Sequence, residues 1–162
     1  MKIDSLQKLF VEELRDLYSA ENQILKALPK MTKAATSPEL KAAFEKHLKE
    51  TEGQVERLET IFEALGEKPK GKTCKAMAGL VEEGSELMKE DIEPAVLDAG
   101  LIAAAQRVEH YEMAGYGTVR TYAKLLKNKE AEKLLQATLD EEAATDEALN
   151  ELAESSINLK AV

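Results

Sequence analysis

The sequence predicts an all-α fold, a four-helix bundle with one long crossover that carries a short fifth helix. Two observations lead to this prediction. Aromatic residues make up only 4% of the chain, whereas Ala, Leu, Glu and Lys are abundant, a composition that favours helices. Long segments also place apolar residues three and four positions apart, which puts them on one face of a helix. The 162 residues are expected to form a single domain spanning 1–162.

The first predicted helix begins at a cap formed by Asp4 or Ser5 and runs to about Ala35. Pro29 removes one backbone N–H near its end, so we expect either a kink there or a division into two shorter helices. The inward face is apolar with one exception, Glu21. This face consists of Phe10, Leu14, Leu17, Glu21, Ile24, Leu28 and Met31.

A second helix is predicted from the restart signal at Ser37, an N-cap followed by Pro38 in the first helical position. It extends to about Leu65, where Gly66 ends it. Its broad apolar face comprises Phe44, Leu48, Val55, Leu58, Ile61, Phe62 and Leu65. Along one edge of that face lie His47, Glu50 and Gln54.

The second half of the chain repeats the layout of two long helices with a short turn between them. Residues 66–93 form the crossover and carry the shorter helix over 73–91. The third long helix is predicted over 93–126 and the fourth over 129–156, with Asn128 as its cap. Because short turns force antiparallel neighbours, each half of the chain should be a helical hairpin.

Acidic residues interrupt the inward faces of both helices in the second half. The third helix carries Leu101, Ala105, Val108, Glu109, Glu112, Tyr116, Val119 and Ala123 on this face. The fourth helix carries Leu135, Leu139, Glu142, Asp146, Leu149 and Ala153. Glu109 and Asp146 lie about equally far from the turn, as do Glu112 and Glu142, so each pair should lie level in the hairpin.

Buried carboxylates are costly unless they are protonated, paired or bound to a cation. The interrupted faces therefore indicate a cation site in the interior of the bundle. Each hairpin contributes one acidic layer, and whether the two layers coincide depends on how the hairpins dock, which the pattern does not fix.

Charge and cysteine content exclude several other classes of function. The net charge of −9 argues against a general nucleic-acid binder, which needs a basic face. The single cysteine, Cys74, allows neither an intrachain disulfide nor a thiolate metal cluster. The N-terminal residues lack the basic start and apolar run of a secretory signal, and no apolar segment approaches the roughly 20 residues that cross a bilayer. We therefore expect a cytoplasmic protein without a membrane or nucleic-acid partner.

Four stretches carry more specific motifs, namely LYSAE at 17–21, ETEGQVER at 50–57, LIAAAQRVEHYE at 101–112 and EEAATD at 141–146. Together they resemble the YciF-like family of small bacterial stress-associated proteins, within the ferritin-like superfamily. The resemblance covers nearly the whole chain. It implies a ferritin-like four-helix bundle, often paired into a homodimer, whose interior is similar to the two-iron sites of rubrerythrins and ferritins.

The chain departs from the ferritin-like pattern, which places Glu-x-x-His on two of the four helices. Here Glu50 is followed three residues on by Gly53, and Glu142 by Thr145. A mostly carboxylate site suits one or two divalent ions, with Fe or Mn expected and Mg, Ca or Zn as alternatives. The expected metal ligands are Glu21, Glu50, Gln54, Glu109, Glu112, Glu142 and Asp146. His47 is left open as an additional ligand, although a surface or packing role is expected for the two histidines, His47 and His110.

The function predicted from these features is that of a carboxylate-rich metal-binding protein, related to stress. If it is an enzyme, it is a di-metal oxidoreductase that reduces peroxide or dioxygen or oxidises iron, so a small oxidant or a metal ion is its substrate. The alternative is a non-catalytic, dimeric helical stress protein with a degenerate metal site.

Overall fold

The computed structural model describes residues 2–162, and among these residues every regular element is helical, so the all-α prediction is confirmed. The elements are α1 (Leu6–Ala34), α2 (Pro38–Leu65), α3 (Lys75–Leu87), α4 (Pro94–Leu125), α5 (Lys129–Leu152), a π-helical turn (Ala153–Ile157) and α6 (Asn158–Lys160). No helix in the described part of the chain is long and apolar enough to span a membrane.

The caps that the sequence indicates for the long helices are in place. The Ser37 hydroxyl accepts the N–H of Leu40 at 3.3 Å and so begins α2. Gly66 ends the same helix in the left-handed region, with φ 65°. The side chain of Asn128 accepts the N–H of Ala131 at 3.1 Å and begins α5. The starts and ends of the long helices therefore follow from local chemistry.

Helix α1 runs as a single helix across Pro29, which excludes the division into two shorter helices. Ile24, Leu28 and Met31 on its inward face are buried and hold both sides of the proline against the core. Two other boundaries differ from the prediction. Helix α3 is capped by Cys74 and ends at Leu87, so it is shorter than the predicted 73–91. Beyond Leu152 the last helix changes to a π-helical turn.

The four long helices form a square in which α1 contacts α2 and α4, and α5 contacts α2 and α4. Neighbours are antiparallel around the whole square. In the pair α1–α4, Thr36 lies beside Asp98 near one end, whereas Leu17 lies against Gly115 further along. In the pair α2–α5, the side chain of Glu50 lies beside that of Thr145, and Arg57, further along α2, contacts Thr138, nearer the start of α5.

The crossover helix α3 packs outside the square, against α1 and α4. Its start is tied to α1, since Ser19 accepts the N–H of Cys74 at 2.9 Å and Gln23 donates to the Cys74 carbonyl at 3.0 Å. Its second half packs against α4, where a Cβ placed at Gly84 would lie in ordinary contact with Ala104 Cβ, at 3.7 Å. Helix α3 is therefore held at one end by α1 and along its length by α4.

One buried acid has a purely structural role. The carboxylate of Asp98 on α4 is 3% exposed and accepts the backbone N–H groups of Thr36 and Ser37 at 2.7 and 2.8 Å. It also accepts the Thr36 hydroxyl at 2.6 Å. Both carboxylate oxygens thus have donors, and the α1–α2 turn is fastened to the start of α4.

The interior is divided into two apolar halves. One half lies towards the α1–α2 turn and includes Ile24, Phe44 and Leu101. The other lies towards the α4–α5 turn and includes Phe10 and Phe62. Polar and acidic side chains occupy the level between these halves, in the middle of the bundle.

Candidate metal centre

All four long helices contribute to this middle level, which we name the polar layer. Its members are Glu21 on α1, His47 and Gln54 on α2, Glu109 and Glu112 on α4, and Glu142 on α5. None of the six is more than 2% exposed. The two acidic layers that the hairpins were expected to carry therefore coincide in the folded protein.

Four members of the polar layer converge most closely. One ligand atom from each of His47, Glu109, Glu112 and Glu142 lies within 4.8 Å of the other three. The imidazole Nε2 of His47 is 3.1 Å from Glu109 Oε1. Three carboxylates and one imidazole within this distance are a donor set that can surround a divalent ion.

Glu21 completes the acidic side of the layer. The hydroxyl of Tyr116 donates to its Oε1, and Tyr116 itself is fully buried. Burial, followed by the charge of Glu142, raises the pKa of Glu21 to about 8, although the Tyr116 hydroxyl acts in the opposite direction. The carboxyl of Glu21 therefore lies in an environment that favours its protonated form or a cation nearby.

Glu142 is fixed from α2. Gln54 donates its side-chain N–H to Glu142 Oε1, and also to Glu141 Oε2 at 3.1 Å. Arg57, one turn further along α2, donates to both oxygens of Glu141 at 2.7 and 2.6 Å. A charged pair near the surface thus orients the amide that in turn orients the buried acid.

Several carboxylate oxygens in the layer remain without any hydrogen-bond donor. Both oxygens of Glu112 are buried and unpartnered, as is the Oε2 atom of Glu21, Glu109 and Glu142. These unpartnered oxygens contrast with the carboxylate of Asp98, whose oxygens all have donors. Since buried polar atoms in folded proteins are nearly always satisfied, the layer has unused capacity to bind a cation or protons.

The electrostatics of the layer point in the same direction. Burial raises the pKa of Glu109 and of Glu112 well above the ordinary value, and the neighbouring carboxylates raise both further. Burial lowers the pKa of His47, but contact with Glu109 and Glu50 more than offsets this and holds it well above its usual value. Excess negative charge in a desolvated space is the common cause of these shifts.

Two of the expected ligands lie at the edge of the layer. Glu50 is partly buried, 3.2 Å from Lys46 Nζ and 3.9 Å from His47 Nδ1. The Thr145 hydroxyl donates to it at 3.3 Å. Contact with His47 lowers the pKa of Glu50, burial opposes this, and contact with Lys46 lowers it further. Glu50 therefore lies outside the group of four converging side chains and contacts that group at His47.

Asp146 lies on the outer side of α5. Its carboxylate accepts from Gln106 at 3.2 Å and is 3.2 Å from His110 Nε2. The His110 side chain is 67% exposed, as expected for a surface histidine. Asp146 is therefore not among the side chains that converge in the middle of the bundle, and its role as a ligand stays a prediction.

The inward face of α5 is shifted by one residue from the face predicted by the sequence. The buried line is Ala131, Leu135, Thr138, Glu142, Thr145 and Leu149. The line predicted from the sequence runs instead through Leu139 and Asp146, which are only partly buried. In the structure Thr138 and Thr145 face α2, where Arg57 and Glu50 contact them.

His47 is the member of the layer that the sequence assigned to packing or the surface. It is 2% exposed and touches Glu109 across the bundle. The spacing along α2 is consistent with an inward His47. The buried residues of this helix, spaced by four and three, include His47, Thr51, Gln54, Leu58 and Ile61. His47 precedes Glu50 by three residues, so α2 carries the Glu-x-x-His pairing in reverse order.

Comparison with known proteins agrees with the fold and the motifs. Residues 5–162 match the family described as a domain of unknown function, DUF892. The chain belongs to the DUF892 family. It is 45% identical to protein YciF of Escherichia coli strain K12 over 162 residues, which covers 99% of this chain and 98% of that protein. The expectation of a YciF-like family member is confirmed.

Solved structures with the same fold include the E. coli stress protein YciF, with a TM-score of 0.92 and 44% identity over 96% of this chain and 99% of that one. A second is YcfI from Rhodopseudomonas palustris, named as a candidate structural protein, with a TM-score of 0.89 and 44% identity over 92% of this chain and 95% of that one. A Xanthomonas campestris protein at 20% identity shares the fold, with a TM-score of 0.74 over 93% of this chain and 92% of that one.

Proposed function

We propose that this protein is a ferritin-like metalloprotein that binds one or two divalent ions in the polar layer, with a role in the response to stress. The observation that carries the proposal is the set of buried carboxylate oxygens without hydrogen-bond donors, on Glu21, Glu109, Glu112 and Glu142. The likeness to YciF, which is named a stress protein, supports the physiological part of the proposal.

Charge balance supports the presence of a cation. Four carboxyl groups in the layer can carry four negative charges, whereas the only buried cationic group among its six members is the His47 imidazole. Isolated buried charge is too costly to persist, so the layer must take up protons or metal ions. Two divalent ions would balance the four carboxylates with His47 neutral, which is the form of histidine that binds metals.

The donor set defines which ions fit. Glu109, Glu112, Glu142 and His47 would hold the ion, and Glu21 on the adjacent side would share it or hold a second one. Carboxylate-rich sites with one imidazole suit Fe or Mn better than Cu. Such an ion would supply electrons for the reduction of peroxide or dioxygen, or would itself be oxidised as substrate. Around it, Gln54 and Tyr116 hold Glu142 and Glu21 in place.

Metal content per chain tests the proposal directly. The full chain is purified without chelator or affinity metal, loaded with Fe(II) or Mn(II) under nitrogen, and its metal content is measured. We expect one or two ions per chain in the wild type and close to none in the double variant Glu109→Leu, Glu142→Leu. The variants Glu50→Gln and Asp146→Asn should load normally, because neither side chain lies in the converging group. A folded wild type that retains no ion would overturn the proposal.

A second measurement separates an enzyme from a scavenger. The loaded protein is given peroxide or dioxygen together with a reductant. Repeated consumption would indicate catalysis, whereas one stoichiometric burst would indicate storage or scavenging.

A competing proposal is a non-catalytic, dimeric helical protein, favoured by the description of the R. palustris relative as a candidate structural protein. It predicts a stable homodimer whose mass in solution does not depend on metal. It also predicts that the Glu109→Leu, Glu142→Leu variant retains whatever protective effect the wild type has in stressed cells. Loss of that effect in a folded variant would contradict it.

A further inference from the structure

A cavity of about 430 Å³ lies between α1, α3 and α4, beneath the crossover helix. It borders the polar layer, because His47 and Glu109 line it and both are almost completely buried, at 2% and 1% exposure. These two residues therefore form its deep end. Exposed charged residues on α1, on α3 and just after α3 line the cavity as well and mark its opening to solvent.

Between the two ends the walls are largely aliphatic. They include Leu28 on α1, Leu80 and Val81 on α3, and Val108 on α4. Such walls offer water few hydrogen-bond partners, so water is held weakly there. Pockets of roughly 300–1,000 Å³ typically bind organic ligands, and an apolar cavity of about 150 Å³ is enough for benzene. The space is far larger than peroxide or dioxygen requires.

The two ends of the cavity differ in charge. The deep end adjoins the carboxylates of the polar layer, which would repel an anionic group. At the opening lie three lysines, Lys26, Lys30 and Lys89, together with Glu82 and Glu86. None of these five side chains forms a salt bridge within residues 2–162. An acidic head group is therefore better placed at the opening than at the deep end.

We propose that this cavity binds a fatty-acid-like aliphatic carboxylate, with its chain inside and the chain's far end beside His47 and Glu109. The carboxylate lies at the opening, near the three lysines. Binding itself depends only on the cavity. A role of the bound molecule in the chemistry of a nearby metal ion rests on the function proposed above.

Binding is tested on the metal-free full chain with cis-parinaric acid, a fluorescent 18-carbon polyene carboxylate. We expect saturable binding that laurate displaces. Ala27→Phe on α1 and Ala78→Phe on α3 place a ring in the cavity from opposite walls and should each weaken binding about tenfold or more. Ala137→Phe is the matched control, since Ala137 is half-buried on α5 and does not border the cavity. Absence of saturable binding, or equal binding by all three variants, would overturn the proposal.

The orientation is tested separately. Dodecanol has the same chain as laurate without the charge. Laurate should displace the probe better than dodecanol in the wild type, and the double variant Lys26→Gln, Lys30→Gln should remove this difference. An unchanged preference for laurate in that variant would contradict the placement of the carboxylate at the opening.

The two histidines of the chain provide an internal control for the depth of binding. In the metal-free protein, laurate should shift the NMR signals of the His47 ring and leave those of His110 unchanged, because His110 is exposed on another face. A His47 signal that stays fixed at saturation would overturn the proposed deep end. These measurements contain no metal, so a failure to bind metal leaves their outcome unaffected.

Discussion

At the scale of single residues, two kinds of buried acid can be told apart by their hydrogen bonds. Asp98 has donors for both oxygens and ties a turn to a helix. Glu112 is at least as deeply buried and has no donor for either oxygen. The first arrangement stabilises the fold, whereas the second costs free energy unless a proton or cation is bound.

The same change of acid to amide should therefore have opposite effects at these two positions. In metal-free protein near pH 8, Glu112→Gln should raise the free energy of unfolding by about 1 kcal/mol, because a neutral amide needs neither a proton nor a cation to be buried there. Asp98→Asn should lower it by about 2 kcal/mol, because one buried donor of the turn loses its acceptor. Urea unfolding in EDTA measures both. Destabilisation of equal size in the two variants would show that Glu112 is a structural acid.

Tyr116 should affect metal binding without touching the ion. Its hydroxyl donates to Glu21 and helps to keep the pKa of that carboxyl from rising further. Tyr116→Phe should weaken Mn(II) binding about 10- to 100-fold, as is usual for partners that orient a ligand. Titration calorimetry at neutral pH measures the affinity. Tyr122→Phe, a half-buried tyrosine on the same helix without such a bond, should bind as the wild type does. Equal affinities in the two variants would contradict this role.

At the scale of elements, the lengths of the helices are set locally while their packing positions the site. Gly66 shows the local part, since its φ of 65° lies in the left-handed region that favours glycine. Helix α2 could not end there with the same geometry on a bulkier residue without strain. The end of α2 in turn fixes where the crossover begins, and hence where α3 covers the cavity.

Two glycines, one inside α2 and one at its C-terminal cap, should respond in opposite ways to alanine. Gly66→Ala should lower the free energy of unfolding by about 1 kcal/mol, because alanine is strained at positive φ. Gly53→Ala should raise it by about 0.5–1 kcal/mol, because Gly53 is helical and a Cβ there would meet nothing within 4 Å. Thermal and urea unfolding of the two variants give the values. A stabilised Gly66→Ala variant would mean that the helix end can shift.

At the scale of the whole molecule, the polar layer links the stability of the fold to pH. The carboxyl of Glu21 has a pKa of about 8 in the folded chain, above its ordinary value of 4.5. The folded protein therefore binds this proton more tightly than the unfolded chain does. The resulting stabilisation is complete below about pH 4.5 and is lost as the pH rises through about 8. The raised pKa values of Glu109, Glu112 and His47 act in the same direction.

Metal-free protein should consequently lose stability between about pH 5 and pH 8, and added Mn(II) should restore most of it at the upper end, where the ligands are deprotonated. The midpoint of urea unfolding across this range, with EDTA or with Mn(II), measures the effect. The Glu109→Leu, Glu142→Leu variant serves as the control and should show a flatter profile. A metal-free wild type that gains stability over the same range would contradict the assignment of the shifts.

The two apolar halves of the core explain why the molecule can tolerate such a layer. Phe10, Phe44 and Phe62 and many aliphatic side chains are buried on either side of it, each contributing about 1.5–3 kcal/mol on burial. The bundle therefore has a source of stability apart from the polar layer. This stability can offset the cost of burying the unpartnered carboxylates of the layer.

The sequence by itself determined the helices, their caps and the acids that interrupt their inward faces. Ser37, Gly66 and Asn128 define their helix ends through neighbours only a few residues away, so no knowledge of the tertiary structure was needed. Glu21 could be singled out for the same reason, since its apolar neighbours on one helix face mark it as buried.

Tertiary structure decided which acids meet. Helical periodicity defines an inward face only to within about one residue, because 3.6 residues per turn allow more than one line of threes and fours. For this reason the periodicity places Asp146 inward, although Thr145 is the buried residue, and it does not single out His47. Whether the acidic layers of the hairpins coincide, and whether a cavity reaches them under α3, depends on how the helices dock. Docking is a property of packed surfaces, and the spacing along one helix does not encode it.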